Sequence, residues 1–93
     1  MPSPSEKTRP DLIREYSEAL MSPDEISILV GMSEDEKRHF VRAIKDKLPE
    51  EDVIAYLQGR LKTKYALHKM VITLAIKGSP AAQPIAERYL NEQ

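Results

Sequence analysis

Apolar residues recur along much of the chain at intervals of three and four, which places their side chains on one face of an α-helix. The first of these faces consists of Leu12, Ile13, Tyr16 and Leu20. No long run alternates apolar and polar residues as a half-buried strand does, and no Asn-Gly or Asp-Gly dipeptide marks a hairpin turn. The pattern therefore predicts an all-α fold.

Two short motifs mark the starts of helices. The segments Ser-Pro-Asp-Glu at 22–25 and Ser-Glu-Asp-Glu at 33–36 both have the form of a capping box. In this motif the serine side chain accepts a hydrogen bond from the N–H three residues on, and the glutamate reaches back to the serine N–H. Gly31 lies between them, where a helix end favours a left-handed residue.

Prolines supply most of the remaining boundaries, because proline is tolerated in the first helical turn and disfavoured beyond it. The predicted helices cover about residues 10–20, 23–30, 34–47, 49 onwards, 62–77 and 79–90. The pattern leaves open whether the fourth helix continues through Gly59. Pro84 predicts either a kink or a late start in the last helix.

These elements suggest one helical domain over residues 9–93, preceded by a disordered tail over residues 1–8. The second and third helices, joined by a short glycine turn, have the pattern of a helix-turn-helix. We therefore expect a helix-turn-helix-like half over about residues 10–48. A helical half that forms oligomers follows over about residues 49–91.

Composition narrows the class of protein. The chain has 93 residues, of which 41% are hydrophobic and 31% charged, as in a small globular domain. It has no cysteine, which excludes disulfides and thiolate metal sites and favours a cytoplasmic location. The longest uncharged apolar stretch, residues 70–76, is far too short to cross a bilayer, so no membrane association is expected.

Nothing in the sequence indicates catalysis. His39 and His68 are the only histidines, and they fit no metal-ligand spacing. Only three glycines occur, with no phosphate-binding loop, and no nucleophile lies in a recognisable motif. We therefore predict that the protein is not an enzyme, with no catalytic residue, metal site or cofactor.

The charge distribution is uneven and defines two candidate nucleic-acid surfaces. Residues 1–52 carry a net charge of −5, whereas residues 53–86 carry +5 and no acid. The first surface, the α3 stripe, has the helical spacing i, i+4, i+7 and consists of Arg38, Arg42 and Lys45. The second, the basic trio, begins the acid-free segment and consists of Arg60, Lys62 and Lys64.

Three acids at 34–36 lie beside the α3 stripe, and acids oppose the approach of DNA. We therefore expect the basic trio, which has no acid near it in sequence, to contribute at least as much affinity for DNA. The alternative is that both sets are solvated surface, with Glu34 paired to Arg38.

Residues 62–77 carry two apolar seams. The first consists of Tyr65, His68, Ile72 and Ala75, and the second of Leu67, Val71 and Leu74. A helix that is apolar on two sides is either the buried centre of a domain or part of an oligomer contact. We favour the second explanation, with the first seam facing inward and the second seam against another subunit.

Two segments resemble phage helix-turn-helix proteins of the small terminase subunit type. One is Tyr-Leu-Gln-Gly-Arg-Leu at 56–61, and the other is Leu-Ala-Ile-Lys-Gly-Ser-Pro-Ala-Ala-Gln at 74–83. With the upstream helix-turn-helix pattern, the resemblance covers about residues 20–90. It implies recognition of phage DNA for packaging by a multimer that recruits a large ATPase subunit, and it carries over no catalytic residue.

The leading hypothesis is therefore a DNA-binding accessory protein of a phage or mobile element that acts as an oligomer. One alternative is a transcriptional regulator that uses the same helix-turn-helix. Another is a protein–protein adaptor that does not bind DNA.

Overall fold

The computed structural model describes residues 7–92, and within that range the chain forms five α-helices and no strand. The all-α prediction is confirmed. The helices are α1 Arg9–Glu18, α2 Pro23–Leu29, α3 Glu34–Lys45, α4 Glu51–Ile76 and α5 Gln83–Asn91.

Both predicted capping boxes are present. The Ser22 hydroxyl accepts from the Glu25 N–H at 3.2 Å, and the Glu25 carboxylate accepts from the Ser22 N–H at 2.9 Å. The pair Ser33 and Glu36 repeats this arrangement at 3.2 and 3.1 Å. The starts of α2 and α3 are therefore determined by four-residue segments that satisfy their own N–H groups.

A third capping box, which the sequence analysis did not identify, begins α1. Thr8 caps the helix and exchanges hydrogen bonds with Asp11 in the same manner. Lys7 forms an ion pair with Glu15. Both Lys7 and Thr8 fall within the predicted tail, whose other residues, 1–6, lie outside the described range.

Helices α1 to α4 all end in the same motif, in which the residue after the cap has positive φ and two successive N–H groups return to the last turn. The residues with positive φ are Leu20, Gly31, Lys47 and Gly78. After α1, for example, Leu20 donates to the Ser17 carbonyl and Met21 donates to the Tyr16 carbonyl. Only two of these four positions are glycine, so only two could be recognised from the sequence.

The main difference from the predicted helices is that α4 is continuous. It runs for 26 residues through Gly59 and joins the two helices that were predicted on either side of that residue. The last helix shows the late start that Pro84 predicted: α5 begins at Gln83, with the proline in its first turn.

Gly59 lies where α1 meets α4. A Cβ atom at this position would be 2.3 Å from the Arg14 carbonyl oxygen and 2.7 Å from the Ser17 Cβ. Beside it, the fully buried Ser17 hydroxyl donates to the Tyr56 carbonyl at 2.5 Å. Glycine is therefore used here because a larger residue would not let the two helices approach so closely.

The hydrophobic core contains buried side chains from each of the helices α1 to α4. It contains Ile13 from α1, Ile26 from α2, Phe40 from α3, and Ala55 and Tyr56 from α4. The Phe40 and Tyr56 rings meet edge to face with their centroids 6.3 Å apart, a favourable arrangement for two aromatic rings. This packing holds the buried side of α3 and leaves its other side in solvent.

The chain divides into two compact units, with the boundary between Lys62 and Thr63 inside α4. This boundary is later than the division expected near residue 48. The second unit consists of the end of α4 and α5, and among its described residues Ala82 alone is fully buried. Within it the rings of His68 and Tyr89 stack with their centroids 3.5 Å apart.

Gly59→Ala should destabilise the protein, although alanine ordinarily stabilises a helix interior relative to glycine. The added methyl group cannot be placed without separating α1 from α4, which should lower the free energy of unfolding by about 1–3 kcal/mol. The midpoint of urea unfolding measures this change. The control is Ala66→Gly at an exposed position of α4, where propensity alone should cost about 1 kcal/mol. An increase in stability for Gly59→Ala would contradict the close approach.

Glu36 should make folding sensitive to acid. Hydrogen bonds from Arg9 first, and then from the N–H and hydroxyl of Ser33, lower the pKa of Glu36 from 4.5 to about 2. Because the pKa is lower in the folded state, the stabilisation is complete above the unfolded value and is lost as pH falls from about 4.5 to about 2. Glu36→Gln should reduce the slope of stability against pH in this window, as followed by urea unfolding. Glu51→Gln, at an exposed position in the first turn of α4, serves as the matched control, and equal slopes for the two variants would contradict the assignment.

Candidate nucleic-acid interface

The outer face of α3 carries the predicted α3 stripe. Phe40 and Ala43 are buried on the inner side, which leaves Arg38, Arg42 and Lys45 exposed to solvent on the other. The sequence periodicity therefore placed these three side chains on an accessible surface, as expected for residues at i, i+4 and i+7.

An open groove of about 580 Å³ runs along this side of α3. It is lined by Asp24, Lys37, Arg38, Val41, Arg42, Lys45 and Asp46. We call it the α3 groove. Four of its residues are cationic and two are acidic, so it carries a net positive charge. Lys37 and Asp24 were not part of the predicted α3 stripe. Their side chains approach each other at 3.9 Å between α3 and the start of α2.

The acids at the start of α3 differ in their relation to this groove: Glu36 is directed away from it, whereas Asp35 pairs with one of its cations. Glu36 is directed to Ser33 and to Arg9, whose guanidinium also forms an ion pair with Asp52 at 3.1 Å. Asp35 pairs with Arg38 at 3.0 Å. The pairing expected between Glu34 and Arg38 is replaced by a hydrogen bond from Arg38 to the Glu34 backbone carbonyl at 3.4 Å.

Arg60 from the basic trio is occupied within the fold. Its guanidinium donates to the Met21 carbonyl at 3.2 Å and lies 5.2 Å from the centre of the Tyr56 ring. Its Nε is buried with no hydrogen-bond partner among the described residues. The partly buried side chain therefore connects α4 to the segment that follows α1.

The other two members of the trio have different surroundings. Lys62 forms an ion pair with Glu18 at 3.0 Å, so it does face an acid, one that is distant in sequence. Lys64 is exposed and lies in the second unit. Arg60 is thus occupied within the fold and Lys62 is paired with an acid, whereas the α3 stripe lines one groove.

The two apolar seams are partnered differently. In the first seam, His68 stacks on Tyr89 and the Ala75 carbonyl accepts from the Gln83 side chain at 3.4 Å, whereas Tyr65 is 67% exposed, so only part of this seam contacts α5. In the second seam, Leu67 and Leu74 are each 44% exposed and Val71 is half-buried. Contact of the second seam with another subunit stays a prediction.

Neither histidine takes part in a metal cluster in the structure. His39 contacts the Glu50 carboxylate at 2.6 Å, and His68 stacks on an aromatic ring. No group of three or more potential metal ligands occurs within residues 7–92. Across the same residues, no helix has both the length and the apolar character needed to span a membrane.

Comparison with known proteins found no relative: no family model matches this chain, and no curated protein or solved structure shows significant similarity to it. The α3 groove and the exposed apolar residues of the second unit are therefore the features that bear on function.

Arg60→Ala should destabilise the fold by about 1–2 kcal/mol, because it removes a hydrogen bond and a cation–π contact. Lysine has no planar fork of donors, so Arg60→Lys should recover only part of this stability. The denaturant midpoint of each variant measures the effect. Lys69→Ala, at an exposed position of the same helix, is the control and should leave the midpoint unchanged. If Arg60→Ala also left it unchanged, the inward orientation of Arg60 would contribute nothing.

Proposed function

We propose that this chain is a DNA-binding accessory protein of a phage or mobile element, similar to a small terminase subunit, and that it acts as an oligomer. The observation that carries the proposal is the α3 groove, in which Lys37 joins the α3 stripe. A groove lined with cations on the exposed side of one helix suits the phosphates of a duplex.

The arrangement of α2 and α3 supports the proposal. The two helices pack together and are joined by residues 30–33, a length typical of a helix-turn-helix. Ser27 is small and buried, and its hydroxyl donates a hydrogen bond to the Asp24 carbonyl at 2.6 Å. The two helices can therefore pack closely without leaving this polar group unsatisfied. This arrangement supports the assignment of α3 as the recognition helix of the proposed function.

The electrostatics favour contacts with the DNA backbone over the bases. Each cation that neutralises a phosphate releases counterions, a term that does not depend on sequence. Asp24 and Asp46 in the same groove reduce its positive charge, and the start of α3 is acidic. We therefore propose sequence-tolerant binding of moderate affinity, which an oligomer strengthens by presenting several grooves to one duplex.

The proposal assigns no catalysis to this chain. In the small terminase family that the sequence resembles, ATP hydrolysis belongs to a large ATPase subunit. Recruitment of such a partner is part of the proposal. The adaptor hypothesis has an observation in its favour as well, since Leu67 and Leu74 are exposed apolar residues. An adaptor of this kind needs no affinity for DNA, so the following measurement separates the two functions.

The triple variant Arg38→Ala, Arg42→Ala, Lys45→Ala should weaken binding to random duplex DNA at least about tenfold at low salt. The slope of log affinity against log salt should flatten by up to about three, one for each phosphate that the variant no longer neutralises. Fluorescence anisotropy at several salt concentrations measures both quantities.

The matched control is Lys62→Ala, Lys64→Ala, which removes positive charge outside the α3 groove and should have the smaller effect. A larger effect of the control, with the mass of the oligomer unchanged, would place the interface on the acid-free segment. Absence of salt-dependent DNA binding by the unaltered protein would leave the adaptor function. A preference of several orders of magnitude for one operator would indicate a transcriptional regulator.

A further inference from the structure

The second unit contains an open apolar groove between its two helices. One part, of about 330 Å³, is lined by Ile72 and Ile76 of α4 and by Leu90 of α5, among others. The adjoining part, of about 350 Å³, shares Ile72 and Leu90 and extends to Lys64 and Glu92. The two parts adjoin at Ile72 and Leu90, and we call them together the hairpin groove.

This surface is costly to leave in water. Ile76 is 81% exposed and Leu90 is 68% exposed. A unit of about 30 residues with almost no buried side chain falls below the size at which a chain maintains its own core, and association is one of the usual remedies. The hairpin groove therefore needs an apolar cover.

The charges beside the hairpin groove indicate what that cover is. Among the residues that line the groove, the α4 side carries Lys64 and no acid, and the α5 side carries Glu87 and Glu92. Arg88 of α5 is exposed and is not among the lining residues. A helix that suits the basic α4 side should thus be acidic, and a helix that suits the α5 side should be basic.

A second copy of the same hairpin meets both requirements. We infer that two copies of this chain pack their hairpin grooves together as a four-helix bundle, with α4 of one copy against α5 of the other. Packing α4 against α4 would instead bring Lys64 of the two copies together. The arrangement is isologous, so each copy buries its own Ile72, Ile76 and Leu90 in a shared core.

The hairpin groove is the surface through which the oligomer of the proposed function would form. Only this link rests on the proposed function, since the dimer itself does not depend on DNA binding. The surface differs from the predicted subunit contact, the second seam of Leu67, Val71 and Leu74. The seam lies on another part of α4, so substitutions distinguish the two surfaces.

The first test is the mass of the full chain by sedimentation equilibrium. The unaltered protein should have at least twice the monomer mass of 10.6 kDa. Ile76→Glu should raise the dissociation constant of the dimer at least about tenfold, because it places a charge in the shared core. Ile76 is exposed within one copy, so helicity by circular dichroism should not change. The control is Ile28→Glu, at an exposed apolar residue of the first unit, which should leave the mass unchanged.

The second test is a charge exchange at the groove edge. Lys64→Glu and Glu92→Lys should each weaken the homodimer, and an equimolar mixture of the two single variants should recover most of the affinity, because only in the heterodimer do α4 and α5 of different copies regain opposite charges. No recovery in the mixture would overturn the arrangement of α4 against α5. A monomer at high micromolar concentration would overturn the inference altogether, as would a dimer that Leu67→Glu dissociates and Ile76→Glu does not.

The same variants separate this inference from the proposed function. A monomer that still binds DNA in a salt-dependent manner contradicts the dimer and leaves the α3 groove in place. A dimer with no affinity for DNA supports the hairpin packing and contradicts the proposed function.

Discussion

The contact of α1 with α4 at Gly59 is the constraint on which the first unit depends. The absence of a side chain there allows the Arg14 and Ser17 region of α1 to lie directly on α4, where Ser17 bonds to the Tyr56 carbonyl. This approach places Tyr56 in the core beside Phe40. Phe40 in turn fixes which side of α3 is buried, and so which side is free to meet a ligand.

Local signals in the sequence were sufficient for the starts of α2 and α3 and for two of the helix ends. A capping box is complete within four residues, and a glycine at a helix end is visible without knowledge of the fold. Leu20 and Lys47 adopt positive φ without being glycine, so the ends of α1 and α3 could not be recognised in this way. The continuity of α4 could not be predicted either, because Gly59 resembles a helix breaker until α1 is placed against it.

The candidate site shows the same division between local and distant information. The α3 stripe follows from helical periodicity alone, and the structure places all three residues on one groove. The basic trio depended on the absence of acids nearby in sequence, but Glu18 approaches Lys62 from another helix. The hydrogen bond from Arg60 to the Met21 carbonyl joins residues 39 positions apart, a distance over which periodicity carries no information.

The repeated stop motif at the ends of α1 to α4 has a consequence for how quickly the chain reaches its native state. Each motif is formed by hydrogen bonds between residues no more than five positions apart, so the stop signals themselves need no contact with distant segments. Chains dominated by such short-range contacts fold on microsecond to millisecond timescales. The demanding step is then the insertion of Ser17 beside Tyr56, which closes a loop of 39 residues and has to occur with Gly59 facing α1.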